Sequence, residues 1–293
     1  MSVEIGILDV MTETLINFDR YPLHQLDSAA GKKLVRQTRE SLLEHGSCLF
    51  PDFIPESILQ TMREESHTLI PQAYPGPTEV SPYFFNYEIG QGQPLPPEHP
   101  IRHKGKRNLA QVAADLIPES HRLRQLYQSD VMLKFLAAVI EQPVYRNMDP
   151  YQSLNISVMD RGGCQQWHFD GGNMVTTLLL QEPETGGIFE YVPGIRNDQE
   201  ENFDEVQQIL NGEHKKVKSL QLRAGTLSLF RGHYSLHRVT EVDGKRQRIQ
   251  AILGYTTRPG WFGSKASSVL HYGPRVAEIE KHRPQYPPQV APE

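Results

Sequence analysis

Two short stretches of this chain carry side chains that could do metal chemistry: His168 and Asp170 in WHFDGG (167–172), and His237 in LFRGHYSLHRVT (229–240). On a strand, residues two apart share a face, so His168 and Asp170 project together while Phe169 packs behind them. The glycines that follow leave room for a ligand to approach the backbone. Such a pair serves as a buried hydrogen bond more often than as a metal site. With 12 histidines in 293 residues, roughly 0.5 His-x-Asp triplets are expected by chance, so the pair alone decides little. His237 changes its weight. Two histidines and one carboxylate on a β scaffold form the facial triad that suits non-haem Fe(II) and leaves coordination positions open. His233 is the nearest competitor, but it lies in the turn-like GHYS and is expected to face solvent.

A second signal is Arg248, which opens the apolar run RIQAILGY (248–255). A guanidinium inside a β barrel needs a partner, and a carboxylate bound through two oxygens is its best one. 2-Oxoglutarate offers that: its keto-acid end chelates iron and its far carboxylate needs a fixed cation. Arg246, two residues earlier on the same face, is the alternative. Its plainer role is a surface charge at the turn Asp243-Gly244-Lys245.

The elements that must position these groups change character along the chain. Before residue 150 the pattern is mixed. Ser28 to His45 reads as a helix closed by Gly46, and Ser47–Ile54 as a short buried strand. Pro55 opens another helix, and apolar stripes from Leu109 to Ile140 read as helical. Between them, residues 74–105 are rich in proline and read as a long loop, a lid or a docking surface. After Pro150, short β-rich runs follow: LNISVM (154–159), MVTTLLLQ (174–181), GIFEYVP (187–193), TLSLF (226–230) and RIQAILGY. Gly-containing turns separate them, and a polar helical insert at 199–214 interrupts them. The pattern predicts a sandwich or jelly roll. The last stretch, PQYPPQVAPE, reads as a disordered tail.

Composition narrows the function classes. A hydrophobic fraction of 38% and a charged fraction of 22% are ordinary for a globular protein. No apolar run approaches the roughly 20 residues of a membrane span. The net charge of −5 argues against a general nucleic-acid binder. The acidic N-terminus lacks a secretory pattern, and two cysteines, Cys48 and Cys164, make no disulfide framework, so a reducing cytoplasm is expected. The basic run RHKGKR (102–107) reads either as a solvated loop or as a loop meeting a carboxylate-bearing ligand at a pocket mouth.

His-x-Asp, LLLQEPETGGIFEYVPG, GTLSLFRGHYSLHRVT and a closing Arg together resemble the 2-oxoglutarate/Fe(II)-dependent oxygenases. More narrowly, DLIPES, MDPYQSLN and SLHRVTEVDGKRQR are similar to a bacterial subgroup that hydroxylates or halogenates free amino acids. The resemblance implies an α+β fold: a double-stranded β-helix (jelly-roll, cupin-like) core over 150–258, N-terminal helices and loops (1–149) packed against it, and an extension (259–293), all one oxygenase domain. It implies iron on His168, Asp170 and His237, and 2-oxoglutarate on Arg248, with O2 as the other co-substrate. Halogenases of the subgroup replace the carboxylate ligand with a small residue, and chloride takes the vacancy. With Asp at 170, hydroxylation of an unactivated C–H bond is expected.

The subgroup points to a free amino acid, with a basic or polar side chain, as substrate. Arg102, His103 or Arg107 would meet its carboxylate, and Asp149 and Asn155 would supply polar contacts. Asp149, before Pro150, also suits a plain turn; Asn155 could instead bond the co-substrate or the backbone. Competing readings are a halogenase or desaturase on the same core, a protein- or carrier-tethered substrate, and a non-catalytic cupin-like metal-binding protein. The last favours a His-x-His pair with a Glu and needs no barrel arginine.

Overall fold

The computed structural model describes residues 15–282 apart from 87, 91, 93 and 214. The acidic N-terminus and the proline-rich tail lie outside the described residues. Two six-stranded sheets face one another. In chain order their strands are β1 (Ser47–Phe50), β2 (Glu79–Val80), β3 (Gly105–Asn108), β4 (Ala110–Val112), and then, after a short β5 (Tyr145–Arg146), β6 (Leu154–Met159), β7 (Cys164–His168) and β8 (Val175–Gln181). A short β9 (Thr185–Gly186) precedes β10 (Phe189–Val192), β11 (Lys218–Leu220), β12 (Leu227–Phe230) and β13 (Leu236–Val239). β14 (Val242–Asp243), β15 (Arg248–Leu253) and β16 (Tyr255–Thr256) complete the set. One sheet runs β1-β12-β8-β15-β6-β4 and the other β11-β10-β13-β7-β3-β2. β9 pairs with β14, and β5 with β16.

Period-2 alternation decides which side chains reach the space between the sheets. On β6, Leu154, Ile156 and Val158 join the main apolar core, while Asn155, Ser157 and Met159 face a cavity. On β15, Ile249, Ala251 and Leu253 are core and Arg248, Gln250 and Ile252 face the cavity. The outer face is covered by helices α1 (Ala29–His45), α2 (Glu56–Leu69), α3 (Arg122–Tyr127) and α4 (Asp130–Ile140). Leu59, Met62, Phe135 and Leu136 pack there against Leu178, Leu180 and Ile249. Each such fully buried aliphatic contributes about 1.5–3 kcal/mol, which makes this wall a rigid support.

Local chemistry sets the helix ends. The Ser28 hydroxyl accepts the Gly31 N–H at 3.0 Å, and Gly46 ends α1 with φ 72°. A Cβ there would meet Pro193 and the Ser235 hydroxyl at 3.2 Å, so the left-handed turn and the close approach both call for glycine. The polar insert holds α5 (Phe203–Leu210), and the C-terminal part forms α6 (Lys265–Tyr272) and α7 (Pro274–Lys281). The start of the stretch from Leu109 to Ile140, expected as helix, instead holds β4. Ala110–Val112 pair with the edge of β6, and tertiary pairing overrides local propensity.

Candidate metal centre

The two histidines of the triad meet across neighbouring strands. His168, last in β7, is the direct partner of His237 in β13, and their ring centroids are 4.1 Å apart. Each ring is oriented the same way. Nδ1–H of His168 donates to the Gln166 carbonyl, and Nδ1–H of His237 to the Ser235 carbonyl, both at 2.9 Å. A carbonyl only accepts, so the proton sits on Nδ1 and each Nε2 presents a lone pair.

Asp170 lies two residues past the strand end, not on it. Its N–H donates to the Gly232 carbonyl at 3.1 Å and that of Phe169 to Pro82 at 2.8 Å, so two loops fix the turn. The carboxylate stands 3.3 Å from His237 Nε2 and 3.9 Å from His168 Nε2. The three donor atoms lie within 4.8 Å of one another, a set and spacing that fit one Fe(II) in facial coordination. Gly232 makes the approach possible: a Cβ on it would fall 1.8 Å from Asp170 Oδ2.

Electrostatics matches this use. Burial, with the neighbouring His237, pushes His168 down to about 3, so the ring is neutral and free to ligate. The Gln165 amide donates to His168 Nε2 at 3.0 Å; an ion on that lone pair displaces it.

A cavity of about 290 Å³ opens from the triad between the sheets. Arg248 lines it at 3% exposure, and burial alone pushes its pKa down to about 10. Among the described residues its guanidinium has no hydrogen-bond or ion-pair partner, an arrangement suited to an incoming carboxylate. Gly187 lets it lie there, since a Cβ would sit 3.0 Å from Arg248 Cδ. Arg246 is exposed and donates to the carbonyls of Glu182 (2.8 Å) and Pro183 (3.2 Å).

The remaining expected residues separate. Arg107 is buried in the cavity wall; it donates to the Pro75 carbonyl (2.9 Å), the Pro77 carbonyl (3.3 Å) and Gln111 Oε1 (2.8 Å). Its Nε is buried without a partner. Gln111 in turn donates to Asn155 Oδ1 at 3.0 Å. Asn155 therefore sits with Arg107; Arg248 pairs with Met159, four residues along β6, roughly 13 Å away. Arg102 is exposed, His103 is half-buried, and neither lines the cavity. Asp149 does not line it either. Its carboxylate accepts the N–H groups of Tyr151 (2.8 Å), Gln152 (2.9 Å) and Gly263 (3.0 Å), which makes it a turn former.

His233 is half-buried against Arg196, which donates to its carbonyl and contacts its Nδ1 at 3.3 Å, so it does not simply face solvent. Sequence reasoning missed Phe85, Gln165, His271 and Tyr272, all in the cavity wall. Only Gln165 carried a signal, as a strand residue beside the His-x-Asp motif.

A family model described as Halogenase D matches residues 98–265. No curated protein matches the sequence significantly. Among solved structures, the non-heme alpha ketoglutarate dependent epimerase SnoN from nogalamycin biosynthesis aligns with TM-score 0.52 at 12% identity, over 77% of this chain and 81% of that one. HygX from Streptomyces hygroscopicus, with nickel, 2-oxoglutarate and hygromycin B bound, aligns with TM-score 0.50 at 14% identity, over 75% and 86%. An oxidoreductase of the 2OG-Fe(II) oxygenase family from Burkholderia pseudomallei gives 0.50 at 12%, over 76% and 91%. These likenesses establish the fold, the double-stranded β-helix of 2-oxoglutarate/Fe(II) oxygenases.

Proposed function

Because this chain belongs to the halogenase D family, we propose that it is an Fe(II)- and 2-oxoglutarate-dependent oxygenase that hydroxylates an unactivated C–H bond of a free amino acid. The observation that carries the choice of hydroxylation is Asp170. Its carboxylate stands 3.3 Å from His237 Nε2, filling the place that a halogenase leaves to a small residue. The family's halogenase description favours the second reading, chlorination on the same core.

Iron with 2-oxoglutarate and O2 supplies the oxidising power, with succinate and CO2 as by-products. The chain's own residues do the rest. His168 and His237 present lone pairs fixed by their Nδ1 hydrogen bonds, and Asp170 adds a charge that neutralises part of the cation's. Arg248 receives the far carboxylate of 2-oxoglutarate in a buried wall, where a two-oxygen contact is strongest. Arg107, with Gln111 and Asn155, offers the substrate carboxylate a cation that no protein carboxylate neutralises. Apolar walls from Phe85, Phe230 and Leu229 exclude water from the reacting carbon. No helix among the described residues is long and apolar enough to cross a membrane, and two free cysteines support a cytoplasmic setting.

The test is succinate release with Fe(II), 2-oxoglutarate and a panel of free amino acids. One or a few should stimulate turnover well above the uncoupled background. Uniform background rates across the panel, with 2-oxoglutarate bound, would reject the substrate class.

A further inference from the structure

The cavity wall carries two guanidinium groups, Arg107 and Arg248, and among the described residues a single carboxylate, Asp170. Asp170 is taken by the metal site. The α-ammonium of an amino acid stands beside its own carboxylate. A second cation at the end of a side chain lies out of reach of it and finds no free carboxylate in this wall, and burying such an unpaired charge is strongly unfavourable.

One neutral acceptor stands out in the same wall. His271, on α6, is 7% exposed. Its Nδ1–H donates to the Ser267 carbonyl at 2.8 Å, so Nε2 carries the lone pair. That Nε2 is buried and has no partner. Phe85 stacks on the ring (5.7 Å, 12°) and lies 6.2 Å from the His168 ring, so one aromatic layer separates this acceptor from the metal ligand. Burial and the nearby Arg107 push His271 down to about 4, against the pull of its Ser267 hydrogen bond, which keeps the ring neutral near pH 7. A buried acceptor left unpaired is costly, and a ligand N–H satisfies it.

We infer that His271 Nε2 accepts a hydrogen bond from the substrate's amino group, and that the cavity takes amino acids with uncharged side chains and rejects basic ones. The inference rests on the amino-acid reading above and narrows it. With the carboxylate on Arg107 and the amino group between that carboxylate and His271, an uncharged side chain among Gln152, Asn147 and their neighbours leaves no second cation buried without a counter-charge.

The experiment is anaerobic calorimetry on the Fe(II)- and 2-oxoglutarate-loaded protein with a near-isosteric comparison, L-citrulline against L-arginine, and a second neutral-against-basic one, L-glutamine against L-lysine. The neutral member of each should bind at least tenfold more tightly. His271→Phe keeps a ring against Phe85 and removes the acceptor; it should weaken the neutral ligand at least tenfold and leave 2-oxoglutarate affinity unchanged. His271→Gln, which returns a carbonyl acceptor, should recover part of the loss. Tighter binding of L-arginine or L-lysine, or unchanged binding of the neutral ligand to His271→Phe with 2-oxoglutarate still bound, overturns the inference alone. If none of the four binds while 2-oxoglutarate does, the amino-acid reading falls and the inference with it.

Discussion

Gly232→Ala perturbs the triad without touching a ligand. The backbone at 232 does not need glycine for its dihedral angles; it needs glycine for space. A Cβ there would fall 1.8 Å from Asp170 Oδ2, 2.7 Å from Cγ and 2.9 Å from Cβ. Rotating the carboxylate relieves the first two contacts but not the third, so the Asp170 backbone must shift as well. The overlap should cost about 1–3 kcal/mol in stability. A carboxylate moved off its line to His237 should weaken Fe(II) binding by about 10–100-fold, the range typical of disturbed ligand support. Equilibrium Fe(II) titration with parallel denaturant unfolding reads both. Gly172→Ala is the control, because its Cβ would come no closer than 3.8 Å to any atom, and iron affinity should be retained. Wild-type iron affinity in Gly232→Ala would refute the claim that Asp170 ligates from this position.

Arg248→Ala should raise the KM for 2-oxoglutarate at least roughly thirtyfold, since truncating a buried charge partner costs about 2–5 kcal/mol; Arg246→Ala should change it less than about threefold, as exposed charges usually do. Succinate release against 2-oxoglutarate concentration distinguishes them, and the reverse ranking moves the assignment to Arg246. His271, at about 4 in the folded protein, lies below its unfolded value, so the unfolded chain takes up the proton first. Its share of stability is whole above about pH 6.5 and is lost as pH falls toward about 4, by roughly 3 kcal/mol in all. Urea unfolding across that window should show a shallower slope in His271→Phe, and an unchanged slope contradicts the burial argument. Arg196 donates to Glu201, to the Asn86 side chain and to the His233 carbonyl, and lies 4.0 Å over the Phe169 ring. Arg196→Met should cost about 3–5 kcal/mol and loosen the Asp170 turn; denaturant midpoints and Fe(II) titration test it.

The core of the β-helix was legible because its strands alternate strictly. RIQAIL and LNISVM divide into core and cavity faces residue by residue. His168, His237 and Arg248 lie on strands that line the cavity, whereas Asp170, expected on the strand with His168, lies in the turn after it. What was not legible depends on tertiary pairing. GKRN and AQV have no strong strand pattern, and they become β3 and β4 by adding to the edges of β7 and β6. His271 lies about a hundred residues from the His-x-Asp motif on a short helix whose sequence carries no sign of the cavity. Asp149 reads in the sequence both as a polar contact to substrate and as a turn former before Pro150; it accepts three backbone N–H groups, one of them from distant Gly263, which the sequence could not show.

The most direct test of the account is the product formed by the wild-type enzyme from its stimulating amino acid, read by mass spectrometry with and without saturating chloride. With Asp170 on the metal, the product should carry one added oxygen in both conditions and no chlorine isotope pattern. A chlorinated product from the wild-type chain would contradict the role assigned to Asp170.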